Sequence, residues 1–278
     1  MKKLFFIIAA LFLFCRLQAQ DFHITLFGGF SNYQGDLQDK RFTTNQAQLA
    51  YGAGMLYEMT DNLYLRANFT VGKVGADDKK GINKERNLSF SSPIYDLHLG
   101  LEYDLLNLYE HSMAPFLFAG VSGFHFNPST TDAKGKQVFL QPLGTEGQGF
   151  YKDRKPYSLT QIAVPFGGGI KLALGENIRL RFEIGMRKLF TDYLDDVSTT
   201  YADKPTLLAR NGVQAVELSF RGGEVKPGLQ YPQEGSKRGN PSSKDWYYFG
   251  GVGLSFRLVS QPDRSHIGKA RYGCPTNL

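Results

Sequence analysis

The 278-residue chain has no apolar run long enough to cross a bilayer as a helix. Such a helix needs about 20 residues, and the longest greasy stretch, residues 4–14, is about half of that. It sits behind Lys2 and Lys3 and ahead of Leu17-Gln18-Ala19. That order reads as a secretory signal peptide cleaved after Ala19. Cys15 follows Phe14, where a lipoprotein signal takes a small residue. Cysteine is scarce, 2 in all. Once the signal leaves with Cys15, Cys274 has no partner in its own chain. Charge of one sign is also lacking. Without Lys2, Lys3 and Arg16 there remain 29 basic and 26 acidic residues, a net charge of +3. That balance gives no reason to expect a nucleic-acid partner. No repeat of solenoid type is visible. Gly167-Gly168-Gly169 is not a phosphate loop, because no helix and no Lys-Ser/Thr pair follow it. Glycines inside strands more often mark a bend or room for a bulky neighbour.

What the chain has in abundance is alternation. The segment KDWYYFGGVGLSFRL, 244–258, carries Trp246, Tyr248, Val252, Leu254, Phe256 and Leu258 on one face. The other face is mostly small or charged. A period of two is a strand. Similar segments occur at 22–33, 46–60, 63–75, 88–105, 114–126, 157–174 and 178–190. The count of eight strands is even, as in bacterial single-chain membrane barrels. Thr60-Asp61-Asn62 and Gly175-Glu176-Asn177 mark tight turns, and residues 107–112 form a short link. The other connections are long: 34–45, 76–87, 127–156 and 192–243. Short turns in the periplasm and long loops outside are the outer-membrane pattern. Hydrocarbon admits only helices and closed sheets. The expected fold is therefore all-β: an eight-stranded antiparallel up-and-down transmembrane barrel with long extracellular loops. Residues 1–19 are the signal, 20–258 the outer-membrane barrel and 259–278 a periplasmic tail, so both ends of the mature chain lie in the periplasm. Tyr51, Tyr57, Tyr95, Tyr103 and Trp246 stand at strand ends, where aromatic girdles form.

Leu99, Leu101, Leu180 and Phe182 are expected to face lipid. The opposite face carries Glu58, Arg66, Asp96, His98, Glu102, Asp104, Lys171, Arg179, Arg181, Glu183, Arg187 and Arg257. A soluble sandwich would expose these to water. An eight-stranded barrel is just wide enough for side chains to fill it. Five acids and six bases are near balance, so mutual pairing fills the lumen and leaves no wide pore.

A catalytic set is hard to find. A nucleophile needs a base within reach and an orienting acid. His23, His98, His111, His125 and His266 are scattered. Ser122 and His125 point to opposite faces by strand alternation, and His98 is expected to be a buried partner of Asp96 or Glu102. No cofactor is implied. Asp192, Asp195 and Asp196, with Asp203 nearby, are weak metal candidates, since carboxylates in a loop can hold Ca²⁺. Their spacing is not that of an EF-hand, and self-hydrogen-bonding in the loop is the preferred reading. A helical piece broken at Asn211-Gly212 is expected after them, with 221–245 irregular.

Three segments taken together, FGGFSNYQGDL (27–37), DYLDDVSTTYAD (192–203) and ELSFRGGE…YPQEGSKRGNPSSKDWYYFGGVGLSFRL (217–258), resemble the small outer-membrane barrel of the type IX secretion system, the PorG-like family. A short tail ending in Gly-Cys-Pro adds to the likeness. The resemblance implies a non-enzymatic barrel that anchors or organises a protein-export and gliding assembly. Its partners would be a periplasmic ring lipoprotein and that lipoprotein's own partner. The alternatives are a barrel transporting small apolar molecules, with a lateral opening between strands, and a lipid-modifying barrel enzyme. An odd cysteine in an exported protein points to an intermolecular bond or a free thiol. For Cys274 a disulfide to another protein is preferred over a free thiol or a homodimer link. The resemblance makes the ring lipoprotein the natural partner.

Overall fold

The computed structural model describes residues 22–38, 43, 45–81 and 83–258. The expected signal peptide with its cleavage at Ala19, Cys15, and the tail with Cys274 lie outside the described residues. Ten strands form one sheet: β1 (Phe22–Gln34), β2 (Gln48–Glu58), β3 (Leu63–Asp77), β4 (Ser89–Asp104), β5 (Met113–Phe126), β6 (Ser129–Thr131), β7 (Gln137–Phe139), β8 (Thr160–Ala173), β9 (Ile178–Leu189) and β10 (Trp246–Arg257). Eight of them close a barrel in the order β1-β2-β3-β4-β5-β8-β9-β10, all antiparallel. The closing seam joins β1 to β10, from His23 opposite Arg257 to Gln34 opposite Trp246. The strands and the tight turns fall where the alternation places them. Leu63 donates its amide to the carbonyl of Thr60 at 3.2 Å, and Leu174 donates to Ile178 at 3.0 Å.

The third long loop contains the hairpin β6–β7, and Ser129 of β6 pairs with Ser91 of β4. The fourth holds α1 (Lys204–Asn211) and α2 (Val213–Ser219), separated at Gly212 with φ +85°, and a single turn, α3 (Gly222–Val225), where irregular chain was expected. Asp203 caps α1 by accepting from the Thr206 amide at 2.9 Å, which satisfies a donor that the first helical turn leaves open.

Each barrel strand turns large apolar side chains outward. Leu99 (50%), Leu101 (48%) and Phe182 (44%) are exposed, Leu180 is half-buried, and Leu26, Met55, Leu65, Leu117, Ile170 and Val252 continue the band around the wall. Tyr95 and Tyr103 bound it on β4. Tyr248 departs from expectation. It lies on the outer parity, yet it is buried and donates its hydroxyl to the carbonyl of Tyr33 at 3.3 Å.

The β5–β8 seam is interrupted. Pairing runs from Met113–Leu172 to Ala119–Phe166 and resumes at Ser122–Ala163. Pro165 lies in the gap and has no N–H to give the ladder. Among the described residues the other seven barrel seams pair without a break.

Candidate functional site

Strand parity sets the lumen. All twelve charged or imidazole residues read from the sequence face inward: Glu58, Arg66, Asp96, His98, Glu102, Asp104, Lys171, Arg179, Arg181, Glu183, Arg187 and Arg257. Glu102 is the hub. It accepts from Arg66 Nη1 at 2.9 Å, from both Nη atoms of Arg181 at 2.9 and 2.6 Å, and from Lys171 Nζ at 2.7 Å. Lys171 also bonds Asp104, and Glu183 takes Arg66 and Arg181. A buried charge stripped of water persists only when paired and hydrogen-bonded in this way. Nearer the long loops, Asp96 holds Arg187 at 3.4 Å and the Tyr247 hydroxyl at 2.6 Å. Nearer the short turns, Glu58 accepts from the Tyr109 hydroxyl at 2.7 Å and lies 3.3 Å from His23 Nε2.

Aromatic rings fill the space between the charges, and most were not expected there. Arg66 lies 4.2 Å from the Phe118 ring centroid, Lys171 4.3 Å from Tyr64, Arg181 4.6 Å from Phe116 and Arg187 4.7 Å from Phe249. Cations over ring faces gain electrostatically, more so when desolvated. Gly167 and Gly169 make room for these rings: a Cβ at either would come within 2.8 Å of Phe118 or 2.9 Å of Phe116.

His98 corrects the sequence reading. It pairs with neither Asp96 nor Glu102: both ring nitrogens are buried without a hydrogen-bond partner, and the ring stacks obliquely on Phe118 at 5.6 Å. Ser122 is its cross-strand neighbour on β5. His125 points outward and bonds Thr160 Oγ1 at 2.9 Å.

The long loops form a cap whose apolar residues, including Leu37, Leu88, Leu140, Leu194, Val197 and Leu218, share one core with the barrel residues Ile94, Phe124 and Tyr247. Two guanidiniums tie the loops together. Arg86 bonds both Asp78 oxygens, the Asp36 carbonyl at 2.9 Å and the Arg238 carbonyl at 2.6 Å. Arg238 bonds Glu146 at 2.9 Å, the Asp196 carbonyl at 2.6 Å and the Ser219 carbonyl at 3.1 Å. Glu146 in turn accepts the amides of Ser198 and Thr199. No pattern in the sequence flags these three residues, because, Asp78 apart, their partners lie in other loops.

Asp192, Asp195 and Asp196 are buried inside this cap. Asp195 accepts from the Val197 amide at 2.9 Å and the Tyr33 hydroxyl at 2.5 Å, while Asp196, at φ +66°, accepts from the hydroxyls of Tyr157 and Thr145 at 2.7 and 2.5 Å. Hydroxyls of Tyr33, Thr145 and Tyr157, which lie outside this loop, thus supply much of the hydrogen bonding that was expected from within it. Burial pushes Asp192 up to about 7 and, against the pull of Arg238, Asp196 up to about 6. Burial and repulsion from Asp36 raise Asp195, and burial and repulsion from Asp195 and Asp192 raise Asp245. Among the described residues no group of three or more His, Cys, Asp or Glu is placed to hold a metal ion.

Residues 2–209 match the family described as Domain of unknown function (DUF6089). The chain belongs to the DUF6089 family. No curated protein matches it. Among solved structures it is similar to Neisserial surface protein A, at 11% identity, with 84% of this chain and 96% of that chain covered and a TM-score of 0.42. Ail, the attachment invasion locus protein of Yersinia pestis, follows at 8% identity, 86% and 99% coverage and a TM-score of 0.42. The outer membrane protein OprG from Pseudomonas aeruginosa gives 12% identity, 85% and 97% coverage and a TM-score of 0.40.

Proposed function

We propose that this DUF6089 chain is an outer-membrane barrel of structural role, with its short turns in the periplasm, that anchors or organises a type IX secretion assembly. The observation that carries the structural role is the filled lumen, where a charge network around Glu102 and interleaved aromatic rings leave little for a solute to pass through. The continuous apolar band on the outer wall supports the membrane setting. The assembly itself rests on the likeness of segments 27–37, 192–203 and 217–258 to the PorG-like barrels. The partners are then a periplasmic ring lipoprotein and its partner, and Cys274 is the residue proposed to bond the lipoprotein. A catalytic role is not part of this reading, in keeping with a buried His98 that no carboxylate orients.

Deletion of the gene tests it. Loss of exported cargo with normal uptake of small solutes is expected; normal export rejects the secretion role. A non-reducing gel of thiol-blocked membranes, wild type against Cys274→Ser, tests the bond through a high-mass band that reduction removes.

One observation favours a second reading. The break beside Pro165 is a weak point in the wall, suited to lateral passage of small apolar molecules. Slowed uptake of an alkane-like probe in the deletion strain, with export intact, would favour it.

A further inference from the structure

The two ends of the barrel carry opposite charge. Among the described residues at the long-loop end, fourteen Lys and Arg side chains are exposed against five Asp and Glu. At the short-turn end the exposed charges are Asp61, Glu110 and Glu176, with no exposed Lys or Arg. Most of the basic residues lie on the cap, but two do not. Lys73 on β3 and Lys188 on β9 point outward from the wall itself, directly beyond Val71 and Met186, the last apolar residues of the outward rows within these strands, with exposed Phe190 just past the end of β9. Each therefore stands near the upper edge of the apolar band, at the depth of lipid headgroups. Trp246 is the cross-strand neighbour of Lys188 and lies edge-on to Phe166 on the same outer wall. An amphipathic ring beside an ammonium is the arrangement that anchors at a membrane interface.

We propose that Lys73 and Lys188 form a lipid-binding rim that recruits phosphate-bearing lipids of the leaflet around the long-loop end. This rests on the outer-membrane reading above. Lysine meets phosphate as a point charge, and the neighbouring cap adds a positive field that concentrates anions. A basic side chain at an anionic surface contributes about 1 kcal/mol, or roughly a fivefold local enrichment per lysine. The occupant is a lipid rather than a soluble polyanion because these two lysines face the wall's surroundings and adjoin the apolar band.

Trp246 is the chain's single tryptophan and reports on the site directly. The barrel is reconstituted in phosphatidylcholine vesicles containing a minor fraction of either chain-brominated phosphatidic acid or chain-brominated phosphatidylcholine, and quenching of Trp246 is compared. Several-fold stronger quenching by the phosphatidic acid is expected. It should weaken with salt and be lost in Lys188→Gln, but remain in Lys134→Gln/Lys136→Gln on the cap. Equal quenching by the two lipids overturns the proposal. So does a loss confined to the cap variant, which would place the anion contact on the cap and not on the wall. If neither lipid quenches Trp246, the barrel is not seated in the bilayer in this register, and the outer-membrane reading itself fails.

Discussion

Arg238 shows what a single side chain does here. It is buried, and its guanidinium joins Glu146 to the backbone of Asp196 and Ser219. Replacing it with Met strands Glu146 as a buried charge, a change that typically costs about 3–5 kcal/mol. Trypsin should then cut the fourth loop at Arg210 in folded protein, where the wild type resists; equal resistance would show that the cap does not depend on this pair. The carboxylates nearby respond to pH. Asp192 and Asp196 have folded values raised to about 7 and about 6, against an unfolded value of about 3.9. The folded cap holds protons that the unfolded loop releases, so its stability is greatest in acid and declines as pH rises from about 4 to about 7. Amide exchange in residues 192–200 should speed up between pH 5 and pH 8 beyond its intrinsic base catalysis, and Asp192→Asn should flatten that excess.

At the scale of the strand, parity decides everything. Arg181 and Glu183 face the lumen while Leu180 and Phe182 face out, and a slip of one residue would exchange the two sets. Arg at position 99 or 182 should cost about 2–4 kcal/mol of folding stability in lipid vesicles, measured by denaturant titration; a neutral effect would place those positions away from the bilayer. The strands were legible because most alternate cleanly. β5 was the least legible, since it is apolar on both faces: Leu117 and Val121 outside, Phe116, Phe118 and Phe124 inside. That is why the inner charges could be read from the sequence and the rings between them could not. The cap was illegible for another reason. Glu146 and Arg238 are 92 positions apart in the chain, and a contact of that span leaves no periodic trace. The interrupted seam gives a test of its own. Pro165→Ala returns an N–H to β8, and hydrogen exchange at Gly120 should slow. If that amide is already as protected as its β4–β5 neighbours in the wild type, the seam is not a weak point.

The whole molecule is a filled cylinder with a tied lid. Purified protein in planar bilayers should show no stable, sizeable conductance, and a steady open channel would contradict a lumen closed by the Glu102 network. The cylinder closes between its first strand and its last, with His23 opposite Arg257. Until β10 has been synthesised, β1 and β9 each present a bare edge, and an open edge invites pairing with any other strand. The lid waits as well, because Arg86 must meet the carbonyl of Arg238, 152 positions later. A chain stopped before Trp246 is therefore not a smaller barrel but a sticky open sheet, which has to be shielded by a chaperone or degraded. Birth of this protein is all-or-none, and the strand made last decides whether the seven before it have a structure at all.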